Sequence, residues 1–372
     1  MAVTLADVAA RAGVSSATVS RVLNGNYPVA DGTRTRVLRA VDELQYVVNG
    51  PASALAAATS DLVGILVNDI ADPFFGIVAS AVQSEMGGEA ATGAGQKLAV
   101  VCNTGGSPER ELTYLTLLRR QRAAAVVLTG SSVEETAHST ALADRLRHLA
   151  AGGTRIVLCG RPPLAPGGAT TQEPPLAEDG IVTLTFDNLG GSHRLTAHLL
   201  TLGHRHIGYV TGPADRSTTR HRLEGHRRAV GEQAPEALAE AERLTVHGGA
   251  YDRSAGYDGA LELLRRAPGL TAVLAANDTV ALGVCAALRD QGLRIPEDVS
   301  VGGFDDLPFA ADASPALTTV RLPLHEAGAR AGRLALGLEA PPPGGVATVR
   351  ADLMVRASTA PPASGRTQGA PR

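Results

Sequence analysis

Apolar and polar positions follow two different rhythms along this chain, and the change comes near residue 60. Near the N-terminus, apolar residues recur at intervals of three and four, as on one face of a helix; these are Leu5, Val8, Ala9 and Ala12. From Asp61 onward, short apolar runs alternate with amphipathic stretches, which is typical of β-α units around parallel sheets. The pattern predicts a small all-α unit followed by an α/β core.

The first helix has predictable ends. Thr4 and Asp7 have the spacing of a capping box, in which each side chain satisfies a free backbone amide of the first turn. Gly13 is expected to end the helix, because glycine tolerates the left-handed conformation of a tight turn.

A second helix is expected to begin after Ser15, which can act as its N-cap. Its inward positions are Val19, Val22 and Leu23, and its outward positions are Ser16, Ala17, Ser20, Arg21 and Asn24. A third helix, predicted from about Thr33 to Leu44, supplies Val37, Ala40, Val41 and Leu44 to a miniature core.

The outward face of the second helix is small and polar, has one arginine and lacks carboxylates. Such a face suits the major groove, where arginine can bind guanine through two hydrogen bonds. An alternative is that the three helices belong to a larger helical domain and that Arg21 is a surface charge. The short turn, the cap at Ser15 and the missing carboxylates favour a DNA-binding helix-turn-helix.

The remainder predicts two doubly wound lobes of parallel sheet. Strands are expected at 62–67, 97–102, 124–129, 155–159, 181–186, 206–210, 271–276 and 299–304. Helices are expected between them, for example at 107–120, 189–202, 217–230, 253–265 and 277–291. Because such lobes bind ligands at the carboxyl ends of their strands, the residues just after each apolar run are the candidates for a binding site.

Composition and charge narrow the possible classes of protein, the kind of DNA-binding surface and the compartment. Of the 372 residues, 44% are hydrophobic and 19% are charged, which is the composition of a globular protein. A net charge of −3 gives no global attraction to nucleic acid, so a DNA-binding surface has to be local. Cys102, Cys159 and Cys285 lie far apart in apolar runs, as buried thiols in a reducing compartment do. The N-terminus lacks the pattern of a secretory signal, and we expect a cytoplasmic protein.

Motifs for catalysis are missing from the sequence. Lys97 is the only lysine and stands outside any phosphate-binding loop, and neither a G-x-S-x-G elbow nor an H-E-x-x-H pair occurs. His204, His206, His221 and His226 lack partners at metal-ligand spacing. We therefore expect no enzyme activity, no cofactor and no metal. A solute-binding protein and an enzyme with a Rossmann-like domain are the rival interpretations of the core.

The segments TLADVAARAGVSSATVSRVLN and TRTRVLRAVDELQYVVN resemble the DNA-binding headpiece of the LacI/GalR (lactose-repressor) family. The resemblance implies a headpiece over residues 1–48 in which Ser16, Ala17 and Arg21 read bases. It implies contacts that are mostly to phosphates, which fix register rather than sequence, for Thr4, Ser15, Thr18, Ser20, Asn24 and Thr33.

Residues 49–60 match the hinge of that family, which folds on the operator and inserts a leucine into the minor groove. Leu55 matches this leucine, and such a wedge bends the duplex. A flexible linker is the alternative. Two departures weaken the match: Tyr46-Val47-Val48-Asn49 replaces the usual Tyr-x-Pro-Asn, and no arginine or lysine occurs from 40 to 60.

From residue 61 to about Arg356 the chain resembles periplasmic sugar-binding proteins, which implies an effector-binding and dimerisation core at 61–360. The tail at 361–372 is low in apolar residues, and we expect it to be disordered. By resemblance, Phe74 stacks on a ligand ring, whereas Arg222, Asn277 and Asp305 bind hydroxyls. Arg216 or Arg161 is a candidate partner for a more polar substituent. The alternatives are a core position for Phe74, helix caps for Asp187 and Asn277, and a turn anchor for Asp305. Cys159-Gly160-Arg161 lacks the acidic residue common before the arginine.

Together these features predict a ligand-responsive regulator that acts in the cytoplasm at the nucleoid. We expect a repressor of sugar uptake or catabolism genes, bound as a homodimer, or as a tetramer, to near-palindromic double-stranded operator DNA. The expected effector is a carbohydrate, with a nucleobase or nucleoside as the alternative.

Overall fold

The computed structural model describes residues 3–24, 28–46, 60–87, 97–164 and 180–363. The chain divides into two compact units, Met1–Ser60 and Asp61–Arg372. The boundary lies where the hydrophobic pattern of the sequence changes. The predicted hinge, including Leu55, lies outside the described residues except for Ser60, and so does the predicted tail after residue 363.

The N-terminal unit contains three helices, α1 (Leu5–Ala12), α2 (Ser16–Asn24) and α3 (Asp31–Leu44). The predicted capping box is confirmed at the start of α1, where Thr4 and Asp7 satisfy each other's backbone amides. Gly13 ends the helix with φ at 65°, a conformation that favours glycine. The third helix begins at Asp31, two residues before the predicted start at Thr33, and Asp31 complements the helix dipole there.

Apolar residues from all three helices meet in one small core. Val8, Val19 and Val37 each have 0% exposure, and Ala9, Ala12, Val22 and Ala40 are also buried. Leu5, Leu23, Val41 and Leu44 pack around this cluster and are partly buried. The inward positions predicted from helical spacing therefore form the core of this unit.

The first lobe of the second unit is built on a six-stranded sheet with the strand order β11-β5-β4-β3-β1-β2. All of its pairings are parallel. Its strands are β1 (Leu62–Val67), β2 (Leu98–Asn103), β3 (Ala125–Thr129), β4 (Arg155–Cys159), β5 (Ile181–Phe186) and β11 (Val346–Val349).

Helices cover both faces of this sheet. On one face lie α4 (Pro73–Ser84) and α13 (Leu324–Leu336), which pack on each other and on the strands. On the other face, α5 (Pro108–Arg120) and α6 (Thr136–Ala151) contribute Leu115, Leu118, Leu142, Leu146 and Leu149 to a second buried layer. The inner strands β1, β3, β4 and β5 therefore have buried residues on both faces, which explains their nearly continuous apolar sequence.

The second lobe is built on a four-stranded parallel sheet with the order β7-β6-β8-β9. Its strands are β6 (Ile207–Thr211), β7 (Thr245–His247), β8 (Ala272–Ala275) and β9 (Ser300–Gly302). Helices α7 (Asn188–Thr201) and α8 (Ser217–Gln233) pack together on one face, whereas α10 (Arg253–Arg266) and α11 (Asp278–Asp290) pack together on the other. The remaining short helices are α9 (Leu238–Arg243) and α12 (Pro308–Asp312).

The chain passes between the lobes three times. It leaves the first lobe after β5, returns through β10 (Thr319–Arg321) to α13, and leaves again after β11 through β12 (Asp352–Met354). Strands β10 and β12 pair antiparallel. Beyond β12 the chain lies beside β9, where Val301 N donates to Ser358 O. These crossings place the carboxyl ends of both sheets next to the same cleft.

The eight predicted strands are all present, each displaced by at most a few residues. The sequence analysis did not identify β7, β10, β11 and β12, which are three or four residues long and lack a continuous apolar run. Within the described ranges, no helix is long and apolar enough to cross a membrane.

Two glycines make a close approach between α10 and α11 possible. A Cβ atom at Gly283 would lie 2.0 Å from Arg253 O, and one at Gly256 would lie 2.0 Å from Val280 O. Because these obstacles are backbone atoms, Gly283→Ala has to separate the helices. We expect a loss of about 1–3 kcal/mol in the free energy of unfolding, measured by urea denaturation.

Gly231→Ala is the matched control, since Gly231 lies exposed in α8 with no atom within 4 Å of its added Cβ. There we expect a gain of up to about 1 kcal/mol from helix propensity. A Gly283→Ala variant as stable as the parent would contradict the close packing.

Candidate functional sites

Helix α2 presents a defined outer face. Ser15 Oγ accepts from Thr18 N at 3.2 Å, which satisfies an amide of the first turn and fixes where the helix begins. Val19 and Val22 are buried against the other helices. Ser16, Ala17 and Arg21 are consequently exposed on the opposite side. The face contains short side chains and one arginine, as the sequence predicted.

The candidate phosphate-contacting residues lie in α2 or at its cap and at the starts of α1 and α3. Thr4 is exposed at the start of α1, where its Oγ1 lies 2.7 Å from Asp7 Oδ2, and this hydrogen bond lowers the pKa of Asp7. Thr18 and Ser20 are half-buried in α2, and Thr33 is half-buried in the first turn of α3. Asn24 is the last residue of α2. All of these residues belong to the N-terminal unit.

Glu43 holds two other arginines of this unit. It forms ion pairs with Arg11 and, at 2.9 Å, with Arg39. These hydrogen bonds lower the pKa of Glu43, Arg39 making the largest contribution. Arg11 and Arg39 are therefore engaged within the unit.

In the second unit, the candidate effector residues all follow the carboxyl ends of strands. Phe74 follows β1, Arg161 follows β4, Asn277 follows β8 and Asp305 follows β9. Arg216 and Arg222 lie at the start and in the first turns of α8, after β6. The fold thus places these residues, which are far apart in the sequence, at strand ends of the two lobes.

Arg222 is buried, with 4% exposure, and each of its nitrogens has a partner. Its Nε donates to Asn188 Oδ1 at 2.8 Å, its Nη2 donates to Asp305 Oδ1 at 2.8 Å, and its Nη1 donates to Ala276 O. The guanidinium carbon lies 3.6 Å from the centre of the Phe304 ring. Asn188 and Phe304 are members of this network that the sequence analysis missed.

Asp305 combines burial with an unusual backbone conformation. Its φ is 103°, a region that side chains other than glycine rarely occupy and that is frequent at functional sites. Burial raises the pKa of its carboxyl to about 6 against the opposing charge of Arg222, and the nearby charge of Asp72 adds to the rise. The Asp305 carboxylate is thus directed to Arg222 and lies near the first lobe.

A second carboxyl group lies beneath this pair. Asp278 has 0% exposure, and its oxygens accept from Leu307 N at 2.7 Å and from Thr319 Oγ1 at 2.6 Å. Burial, with the charge of Asp305, raises its pKa well above the usual value. Asp278 fixes the loop that contains Asp305, and through this loop it helps to hold the Arg222–Asp305 pair in place.

Asn277 and Asp187 act as helix caps. Asn277 Oδ1 accepts from Val280 N at 2.8 Å at the start of α11, and Asp187 Oδ1 accepts from Gly190 N at 2.9 Å at the start of α7. The capping role stated as an alternative is therefore present for both. Asn277 is buried beside the Arg222 network, since Ala276 O accepts from Arg222.

Phe74 belongs to an aromatic cluster with 9% of its surface exposed. Its ring centre lies 5.0 Å from that of Phe75 and 6.2 Å from that of Phe186, both edge to face. Gly160 lies against the same cluster with φ at 85°, and a Cβ there would lie 2.8 Å from the Phe186 ring. The ring of Phe186 therefore leaves no room at position 160 for the acidic side chain that is common there in the family that the sequence resembles.

Arg161 is in a separate buried group. It has 3% exposure and pairs with Glu111, whose other oxygen lies 3.1 Å from His138 Nε2. Burial acts to raise the pKa of Glu111, but the charge of Arg161 and the hydrogen bond from His138 outweigh it and lower the pKa to about 2. Arg161 is thus not in contact with Arg222 and Asp305. The sequence analysis did not identify Glu111 or His138.

Several hydrogen bonds join the lobes beside this group. Glu134 N donates to Asp215 O at 2.9 Å, Ser217 N donates to Ser132 O at 3.0 Å, and Ser132 N donates to Ser217 Oγ at 3.0 Å. Arg220 pairs with Glu134 at 2.8 Å. A further bond runs from Arg216 Nη2 to Gly106 O at 2.8 Å. The lobes therefore meet through the loop after β3 and the start of α8.

Metal ligands are not assembled in this part of the molecule. Among the residues that the structure describes, no group of three or more His, Cys, Asp or Glu side chains could hold a metal ion. The site therefore consists of hydrogen-bonding groups, two arginine-carboxylate pairs and aromatic rings.

Comparison with known proteins gives matches in both units. Residues 4–49 match the model of bacterial regulatory proteins of the lacI family, and residues 196–359 match the periplasmic binding protein-like domain. The HTH-type transcriptional regulator GalS of Salmonella typhimurium is 37% identical over 335 residues, 90% of this chain and 89% of that protein.

Two solved structures extend the similarity to the fold. The transcriptional regulator CelR-cellobiose complex is 31% identical, with a TM-score of 0.63 over 96% of this chain and 99% of that one. The lac repressor dimer bound to operator and the anti-inducer ONPF has a TM-score of 0.73 at 24% identity, over 97% and 100% of the chains. The relatives named here are transcriptional regulators and not enzymes. This chain therefore belongs to the LacI family of bacterial DNA-binding transcriptional regulators.

Proposed function

We propose that this regulator represses genes of sugar uptake or catabolism and that a small molecule in the cleft controls its affinity for the operator. The observation that carries the proposal is the buried Arg222–Asp305 pair at the strand ends. Charged hydrogen-bonding groups near aromatic rings suit a ligand with hydroxyls around an apolar ring face. The CelR structure, a complex with cellobiose, supports a carbohydrate as the ligand class.

In this proposal, residues 1–48 bind DNA, residues 49–60 form the hinge and residues 61–360 bind the effector and dimerise. Effector binding stabilises the closed lobes, which changes the geometry of the dimer and of the hinge with its Leu55 wedge. A coupling of about 1–3 kcal/mol is typical of such control. The place of action is the nucleoid in the cytoplasm, where the operator is.

DNA reading is assigned to the outer face of α2. Ser16 and Ala17 have short side chains, so Arg21 is the side chain with the reach to bind a base edge. Thr4, Ser15, Thr18, Ser20, Asn24 and Thr33 are proposed to fix the register, mostly through phosphates.

For Arg21→Ala we expect a loss of about 1–3 kcal/mol in operator binding, because a base contact is removed, and a relaxed preference at one base position. The measurement is selection from randomised duplexes followed by binding at fixed salt concentration. Arg36→Ala, at an exposed arginine of α3, is the control. Arg36→Ala should either weaken binding to all operator sequences by the same factor or leave binding unchanged. An unchanged base preference in Arg21→Ala would exclude the assigned role.

Effector binding is assigned to Phe74, Arg161, Arg216, Arg222, Asn277 and Asp305. Removing one partner of a buried ion pair leaves a charge without compensation, which costs about 3–5 kcal/mol. Truncation of Arg222 would therefore confuse binding with folding. A conservative change at Asp305 is the sharper test.

Asp305→Asn also removes one charge of the pair, but it keeps an oxygen for Arg222 at nearly the same volume, and its melting temperature without ligand shows whether folding is intact. We expect a sugar that stabilises the parent to bind about tenfold more weakly, since a hydrogen bond to a charged group contributes about 1.5–3 kcal/mol. Thermal shift against sugars, nucleobases and nucleosides measures this. Asp306→Asn is the control, because Asp306 pairs with Arg321 and Arg356, each at 2.7 Å. Undiminished binding by Asp305→Asn would place the site elsewhere.

A homodimer is proposed because two-fold symmetry of the protein matches a near-palindromic operator. The edge strand β2 supports it: Leu98 is 64% exposed and Val100 is 38% exposed on a strand that, within the described residues, pairs with β1 alone. Exposed apolar residues on an edge strand are common at interfaces between subunits.

Leu98→Glu should weaken self-association by more than about tenfold, because burial of an unpaired carboxylate is unfavourable. Sedimentation velocity at several protein concentrations measures the fraction of dimer and, where it forms, the fraction of tetramer. Leu338→Glu, at a leucine with 40% exposure away from β2, is the control. A dimer equally stable in both variants would rule out β2 as part of the interface.

A further inference from the structure

The first unit of this chain offers few cations for contacts to DNA phosphates, which supply much of the affinity of DNA-binding proteins. Residues 1–60 contain five arginines and no lysine, and Glu43 already holds two of these arginines, Arg11 and Arg39. From residue 40 to 60 the sequence contains neither arginine nor lysine. Cations on the second unit that reach the same DNA would therefore add to its affinity.

The chain enters its core at the amino-terminal edge of the first sheet. Strand β1 begins at Leu62, directly after the first unit ends at Ser60. Leu98 N donates to Asp61 O and Ala124 N donates to Leu62 O, each at 2.8 Å, so the starts of β2 and β3 lie on either side of the entry point. Because a helix between parallel strands runs back along the sheet, the end of α5 lies at this edge too.

Three exposed arginines lie at the end of α5, within residues 119–122. Arg119 and Arg120 occupy its last turn, and Arg122 lies in the turn that leads into β3. Arg122 has a φ of 51°, the left-handed conformation in which glycine or asparagine usually ends a helix. An arginine is thus present where glycine would fit with less strain. We call Arg119, Arg120 and Arg122 the α5 arginine cluster.

Two acidic side chains on neighbouring elements are held by other cations. Asp61, at the start of β1, pairs with Lys97 at 2.7 Å, and Asp144 of α6 pairs with Arg147 at 3.2 Å. Within the described residues, neither carboxylate forms an ion pair with the first two arginines of the α5 arginine cluster. The positive charge of these two arginines is therefore presented to solvent.

We propose that the α5 arginine cluster is a second DNA-contacting surface, which binds backbone phosphates of the duplex held by the first unit. Its place at the edge where the chain arrives from the DNA-binding unit and its exposed charge carry the inference. A guanidinium group suits a phosphate because it can donate two parallel hydrogen bonds. Phosphates carry no sequence information, so this surface adds affinity without changing base preference.

The test is the salt dependence of DNA binding by the full chain. The probes are a duplex selected with the parent chain and a random duplex of equal length. In the double variant Arg119→Gln/Arg120→Gln, the slope of the logarithm of the affinity against the logarithm of salt concentration should fall by about 2, since each phosphate contact contributes about 0.9. Both duplexes should bind about tenfold more weakly at low salt, with the loss shrinking as salt rises.

Arg253→Gln/Arg289→Gln is the matched control, because it removes two exposed arginines of the second lobe and changes the net charge equally. It should keep the slope of the parent. Arg119→Lys/Arg120→Lys retains both charges and should keep most of the slope. The melting temperature of each variant measures any structural role, since arginines in a last turn also complement the helix dipole.

Three outcomes overturn the inference. An unchanged slope in Arg119→Gln/Arg120→Gln contradicts the phosphate contacts, and a lower melting temperature with that slope leaves the arginines with the helix dipole alone. An equal fall in the control variant assigns the effect to net charge. A changed base preference in Arg119→Gln/Arg120→Gln contradicts a surface that contacts phosphates only.

Discussion

A guanidinium taken out of water needs an acceptor for each of its donors, and Arg222 meets this demand by drawing three segments of the chain together. The ends of β5, β8 and β9 supply Asn188, Ala276 and Asp305. Burial of such a pair costs several kcal/mol per ion, so the pair is stable only while these strand ends keep their positions. The cleft of the second lobe is therefore organised around one arginine.

Both lobes contribute to the surroundings of the Arg222–Asp305 pair. Asp305 belongs to the second lobe, but the charge of Asp72 in the first lobe acts on its pKa. Hydrogen bonds from Ser132, Glu134 and Ser217 join the lobes at another point. A ligand that contacts both places can act on the relative position of the lobes, and such a shift is one way in which a ligand can control DNA binding.

Much of this architecture could be predicted from local sequence. The capping pair Thr4 and Asp7 and the left-handed Gly13 mark helix ends through interactions within a few residues. The apolar runs identify the long buried strands because both of their faces are covered. Strands such as β7 and β10 were missed, since their position depends on pairing partners far away in the chain.

The candidate site was only partly accessible to the same reasoning. The sequence placed Arg222 and Asp305 at strand ends, but it could not show that they bind each other, because 83 residues separate them. Glu111 and His138 gave no signal, as a charged residue within a helix usually faces solvent. Arg161 follows β4 at a strand end, as the sequence indicated, but its ion pair with Glu111 depends on a residue 50 positions away in the chain. The family resemblance identified positions, and the tertiary contacts decide what each position does.

In the proposed control, a ligand in the cleft changes DNA binding by the separate N-terminal unit. The direct measurement is the dissociation constant of the full chain for its selected operator, with and without a ligand that raises its thermal stability. The account predicts a change of about fivefold or more, in either direction. An operator affinity that stays constant while the cleft is saturated would contradict it.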